Sequence, residues 1–158
     1  MPRLDASWVA LLAAIGFLSA CAGNGGSGGG QKPPACIPPP PEQRLSFSHN
    51  IQPIFDSSCA LQGCHTAGTL SGDLDLTAGR SYKQLVGVAS SQQPKVKRVA
   101  PGKPEDSYLV RKIIGAPGTI SGAPMPQGCP IPPPGGSCLS PDNLPAIQLW
   151  ITQCATNN

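Results

Sequence analysis

The sequence predicts an all-α domain: three or four short helices joined by long loops. Apolar residues recur at helical spacing in the stretches that begin near Phe47, Pro101 and Ser140. Helix start and stop residues flank those stretches. Pro and Gly, 20 and 19 of 158 residues, make up about a quarter of the chain and crowd the segments in between.

The composition also excludes. Charged residues are 12 % of the chain and the net charge is +3, too small and too scattered for a nucleic-acid partner. Lys95, Lys97 and Arg98 form the only basic cluster. It reads as a solvated loop, with a docking patch for an acidic partner as the alternative.

The elements follow in chain order. Residues 1–20 read as a lipoprotein signal: Arg3 gives a positive start, and WVALLAAIGF is an apolar core too short to span a bilayer by itself. Leu18-Ser19-Ala20-Cys21 resembles the bacterial lipobox, in which the cysteine is lipidated and becomes the new N-terminus; the alternative is an ordinary secretory signal with a chance Cys at its end. Each buried CH₂ of an acyl chain contributes about 0.8 kcal/mol, so two or more chains anchor stably. A lipidated Cys21 places the protein on the periplasmic side of the envelope, tethered to the inner or outer membrane, where disulfides persist. Ala22 stands where an Asp would sort some lipoproteins. Residues 21–43 are a tether. GNGGSGGG is flexible and KPPACIPPPP has polyproline II character, together a standoff of roughly 30–50 Å.

The domain spans 44–158. In FSHNIQPIF (47–55), Ser48 is a candidate cap for a helix that buries Ile51, Ile54 and Phe55, with Pro53 tolerable only near its first turn. LSGDLDLTAG (70–79) reads as an irregular loop, SYKQLVGV (81–88) as a short helix, and SSQQPKVKR (90–98) as polar and exposed. PGKPEDSYLVRKIIG (101–115) predicts a helix: Pro104 suits the first position, Glu105 and Asp106 the positive end, Arg111 and Lys112 the negative end, and Gly115 the stop. Tyr108, Leu109 and Ile113, with the stem of Lys112, face inward. Residues 116–139 are a Pro/Gly loop, long enough to imply a function. SPDNLPAIQLWITQCA (140–155) predicts an amphipathic helix, capped by Ser140 or Asn143, with Leu144, Ile147, Trp150, Ile151 and Cys154 on its apolar face.

Beyond residue 21 the aromatics are Phe47, Phe55, Tyr82, Tyr108 and Trp150. Five aromatics make a thin core for a domain of this size.

The chemistry is concentrated in CALQGCH, residues 59–65. Cys59 and Cys64 can close a disulfide. They can hold zinc, but zinc wants four ligands, usually from two separated pairs, and the other histidine is His49. Or they can form thioethers to a haem, with His65 as proximal iron ligand. The common haem spacing is C-x-x-C-H. Here four residues separate the thiols, so the extra residues must bulge, which Gly63 eases.

Around this loop the chain resembles the small cytochrome c-like domains of the planctomycete type, also frequent in myxobacterial lipoproteins. The likeness covers most of 47–152. NIQPIF, CALQGCH, GDLDL, SYKQLV, RVAPGKPEDSYLVRKIIG, APMP and LPAIQLWI carry it, in order. It implies a cytochrome c-like fold around one haem c, with Cys59 and Cys64 as the covalent anchors, His65 as proximal ligand and Met125 as distal ligand. Met125 stands between prolines and, once the leader is gone, is the chain's only methionine. His49 is the rival distal ligand. Phe55 and Trp150 would line the pocket where the terminal helices cross.

With Cys21 assigned to lipid and Cys59 and Cys64 to haem, four thiols remain. Cys129 and Cys138 flank PIPPPGGS, which can turn back on itself, and pair; Cys36 then pairs with Cys154. Cys138 with Cys154 is the alternative. The functional expectation is a monomeric, membrane-tethered electron carrier with redox protein partners in the envelope and no substrate of its own. An open sixth position, if Met125 does not ligate, would instead suit a gas or peroxide. The rival of another class is a haem-free, disulfide-stapled lipoprotein that binds a partner or scaffolds the envelope.

Overall fold

Ser46 starts the first helix, two residues before the expected cap: its side chain accepts the amide of His49 at 3.3 Å. In this computed structural model, which describes residues 36–130 and 138–158, the chain then winds through a wide π turn over Phe47–Ile51. Gln52 N–H reaches back to the Phe47 carbonyl. Pro53 has no amide hydrogen to give to the preceding turn, and the wider turn accommodates it. Helix α1, Gln52–Ser58, follows directly and buries Ile54 and Phe55.

Asp75 sets up the next helix. Its Oδ1 accepts the amide of Thr77 at 3.0 Å and the Thr77 hydroxyl at 2.6 Å, a turn that aims the chain into α2, Ser81–Leu85. The sequence 86–99 then folds back on itself through two isolated bridges, Val86 with Val99 and Ala89 with Lys97. No β-strand occurs among the described residues.

The helix expected over 101–115 is split. Pro104–Asp106 is a single 3₁₀ turn, and α3 runs only from Tyr108 to Ile114. Ser107 between them is extended and fully buried. Its hydroxyl donates to the Lys103 carbonyl and accepts the Ala100 amide, both at 2.9 Å, and these long-reach bonds outweigh helical continuity. Gly115 ends α3 in the left-handed conformation, φ +62°. The last helix is likewise shorter than expected: α4 spans Asn143–Thr152, preceded by Asp142, and Cys154 lies beyond it at φ +74°.

Helix α4 packs on α3 and on the Phe47–Ile51 turn. Ile147, Trp150 and Ile151 are wholly buried there. Fully burying a side chain of this size contributes roughly 1.5–3 kcal/mol. Phe47 is the hub of an aromatic cluster, with ring centroids 5.2 Å from Tyr82, 5.3 Å from Trp150 and 6.3 Å from Phe55. The C-terminal tail closes over it. Trp150 Nε1 donates to the Thr156 carbonyl at 3.0 Å, Tyr82 to that of Ala155 at 2.9 Å, and the amide of Ser48 to that of Asn158 at 3.1 Å.

Two disulfides staple the body, Cys36–Cys154 and Cys129–Cys138, the same pairs the sequence reading favours. The first extends the folded body upstream of residue 44. Residues 36–43 are docked: Gln153 Nε2 donates to the Gln43 carbonyl at 2.8 Å, and Cys36 packs on Gly102. The expected signal peptide, Cys21 and the Gly-rich part of the tether lie outside the described residues. Among those described, no helix is long and apolar enough to cross a membrane.

Candidate functional site

Helix α1 ends into the CALQGCH loop. Cys59 and Ala60 both donate to the Phe55 carbonyl, at 2.8 and 2.7 Å. The chain then makes a tight turn, with the Cys64 amide on the Leu61 carbonyl at 2.9 Å and Gly63 at φ +84°. His65 N–H returns to the Cys59 carbonyl at 3.2 Å. The extra residues between the thiols are thus taken up as a bulge whose ends are drawn together. Gly63 permits it, since an L side chain at that φ is strained. Downstream, the Leu76 amide donates to the His65 carbonyl at 2.9 Å and tethers the loop to the 70–76 segment.

Beside this loop lies a cavity of about 250 Å³. Cys59, Cys64 and His65 line one part of its wall, and Met125 lines another. Leu74, Leu76, Leu85, Leu109 and Ile113 make much of the rest apolar. Four residues singled out for their chemistry, 66 positions apart at the extremes (125 − 59), therefore share one space. Both thiols are free: Cys59 is half-buried and Cys64 exposed. Burial pushes the Cys59 thiol up to about 12, and the neighbouring Cys64 adds to the shift. Burial also pushes the His65 imidazole below its usual range; the carbonyls of Leu74 and Ser71 oppose this, and Lys112 and Arg98 add to it. His65 Nδ1 is buried without a hydrogen-bond partner. A buried nitrogen in a cavity wall without a partner in the protein is uncommon. Among the described residues no three of His, Cys, Asp and Glu converge as a bare ion would need. The thiols and the imidazole share a wall without sharing a point.

Two buried cations also line the cavity. Arg98 is only 9 % exposed; its guanidinium donates to the carbonyls of Gln84, Gly72 and Asp73 at 3.0, 3.1 and 3.0 Å. This corrects the expectation that the Lys95–Lys97–Arg98 cluster is solvated: Lys95 and Lys97 are exposed, whereas Arg98 turns inward, where three backbone carbonyls accept its guanidinium. Lys112, 7 % exposed, is the other. Tyr108 joins them in the wall, its hydroxyl accepting the Ser121 amide and donating to Gln92 Oε1, each at 2.9 Å.

Other expected residues fall elsewhere. Phe55 and Trp150 are fully buried, but in the aromatic cluster, and neither is among the residues lining the cavity. His49 is exposed, with Nδ1 within 3.1 Å of the Ser46 hydroxyl and 3.0 Å of that of Ser48, and it does not line the cavity. Cys129, half of the short staple, does line it. The sequence reading missed Arg98 as a wall residue. The available signal was its position next to Val99, at the end of a polar run where the apolar pattern resumes.

No known protein family, curated protein or solved structure matches this chain.

Proposed function

We propose that the protein is a monomeric, lipid-anchored c-type cytochrome with one haem, passing single electrons between redox proteins on the periplasmic side of the cell envelope. One observation carries the reading: the two thiols left free when the other four described cysteines pair, the histidine that follows them, and Met125 all line one largely apolar cavity. The wall chemistry fits the group. Free thiols are available for thioether bonds, and His65 has a buried nitrogen without a partner. Arg98 and Lys112 are buried cations that make no salt bridge among the described residues, although Asp73 lies near Arg98, and this suits a group that brings its own carboxylates.

When bound, haem c supplies a one-electron iron(III)/iron(II) couple. The residues do the rest. Cys59 at the end of α1 and Cys64 in the bulged loop would hold the group covalently, with His65 holding it from the same loop and Met125 from the Pro-flanked loop. A His/Met pair would hold the potential of such a group high. The leucines and Ile113 of the wall would limit water around a bound group.

A second reading has its own support. The aromatic cluster closes the hydrophobic core without any added group, as a haem-free stapled lipoprotein would require. One experiment separates the two: express the full chain with a cytochrome c maturation system, extract it in detergent, and take its denatured mass and reduced visible spectrum. The expected result is a mass gain of one haem with a sharp c-type band. A haem-free chain with Cys59 joined to Cys64 would overturn the proposal in favour of a binding module.

A further inference from the structure

Lys112 lies on the inward face of α3, and its surroundings are unusual for a lysine. Its Nζ donates to the carbonyls of Ser121, at 2.9 Å, and Ala123, at 2.5 Å. Its own carbonyl accepts the amide of Met125 at 2.8 Å. One residue thus holds positions 121, 123 and 125. Tyr108, one turn earlier on the helix, adds the bond to the Ser121 amide. Between Gly115 and Pro130 the chain has no helix or strand of its own, only local turns such as Thr119 to Ala116 and Cys129 to Pro126. A Pro/Gly segment of this kind has no intrinsic reason to hold one side chain in one direction.

The charge is the second observation. The ion pairs among the described residues are Arg80–Asp75, Lys103–Asp106 and Arg111–Asp106, so no carboxylate offsets the ammonium of Lys112. Burying a cation without a counter-charge is costly, and a residue needed only to fill space there would be Leu or Met. The cost is met by carbonyl oxygens that all belong to the Met125 segment.

We propose that Lys112 is a positioning residue that clamps the 121–125 segment and so presents the Met125 thioether to the cavity. The inference rests on the haem reading only for what the thioether is presented to. The clamp is a property of the polypeptide.

The test compares the full-length wild-type chain, Lys112→Met and Lys112→Arg, each produced with the maturation system. Denatured mass reports haem attachment, and the weak long-wavelength thioether-to-iron(III) absorption reports Met125 ligation. Amide hydrogen exchange reports the segment itself. Lys112→Met keeps the stem and removes the ammonium. It is expected to take up haem as the wild type does, to lose the thioether absorption, and to exchange the Met125 amide about tenfold faster, as loss of one or two ordinary hydrogen bonds implies. Lys112→Arg restores donors and charge and is expected to recover both signals. Unchanged thioether absorption and Met125 protection in Lys112→Met overturn the proposal. So does exchange that quickens equally along the whole of α3, which would make Lys112 a general stability residue. If the wild-type chain takes up no haem, the haem reading falls by itself, and the exchange comparison alone decides the clamp.

Discussion

Gly102 shows how one missing side chain can organise a junction. It adopts φ +79°, donates its amide to the Ile151 carbonyl at 2.7 Å, and leaves room for Cys36: a Cβ here would stand 2.8 Å from the Cys36 sulfur. Gly102→Ala combines a disfavoured backbone with that clash. It is expected to destabilise the fold by roughly 1–3 kcal/mol, read as a lower urea midpoint. An unchanged midpoint would mean the Cys36 contact yields freely. The two thiols of the candidate site make a second residue-scale contrast. Cys64 is exposed, whereas Cys59 is half-buried with its thiol pushed up to about 12, so little thiolate forms. Alkylation of the haem-free chain by iodoacetamide, followed by peptide mass mapping, is expected to label Cys64 well before Cys59. Equal rates would contradict the burial.

At the scale of elements, α2 depends on the turn that precedes it. The hydrogen bonds from the Thr77 hydroxyl and amide hold the Asp75 carboxyl below its usual range; burial opposes them, and Arg80 assists at 3.7 Å. The folded-state value is depressed, so this stability is present above the unfolded value of about 3.9 and is lost as pH falls through the folded value. Asp75→Asn is expected to lower the urea midpoint near neutrality and to flatten its decline as pH falls through the carboxylate range. Parallel wild-type and variant curves would rule the carboxylate out as the cause. The elements also show where sequence signals stop. The helix signals over 101–115 are all present, and Gly115 stops the chain as expected. Yet the chain breaks at Ser107, because its hydroxyl finds the Lys103 carbonyl and the Ala100 amide. The position of the first cap shifts for a comparable reason. Ser46 and Ser48 are both competent, and the C-terminal Asn158 takes hydrogen bonds from the hydroxyls of both and from the Ser48 amide. Local propensity could not weigh a partner 110 residues away.

On the scale of the molecule, the two disulfides differ in reach. Cys129–Cys138 spans a sequence separation of 9, whereas Cys36–Cys154 spans 118 and encloses nearly all of the described fold. On chain-entropy grounds a loop of about 15 residues contributes roughly 3 kcal/mol and one of about 100 residues roughly 4.7. The Cys36→Ser/Cys154→Ser double variant is therefore expected to lose more stability than Cys129→Ser/Cys138→Ser, measured as the difference in urea midpoint. The reverse order would mean that the short staple carries native packing of the Met125 loop beyond its entropic share.

While the structure chose between the candidate disulfide pairings, the sequence alone determined the helical class, the approximate place of each helix, the even number of cysteines left to pair and the four residues whose chemistry stands out. Each of these rests on short-range information: periodicity, end signals, the count of cysteines and the rarity of Met and His. Only the tertiary structure decided that Cys59, Cys64, His65 and Met125 share a cavity, and that Phe55 and Trp150 belong to the aromatic core rather than to its wall. It also turned Arg98 inward and gave the Lys112 ammonium, beyond its stem, partners inside the fold. The reason is physical. Each of these buried cations is received by backbone carbonyls of other segments, and no local pattern records where those carbonyls will be.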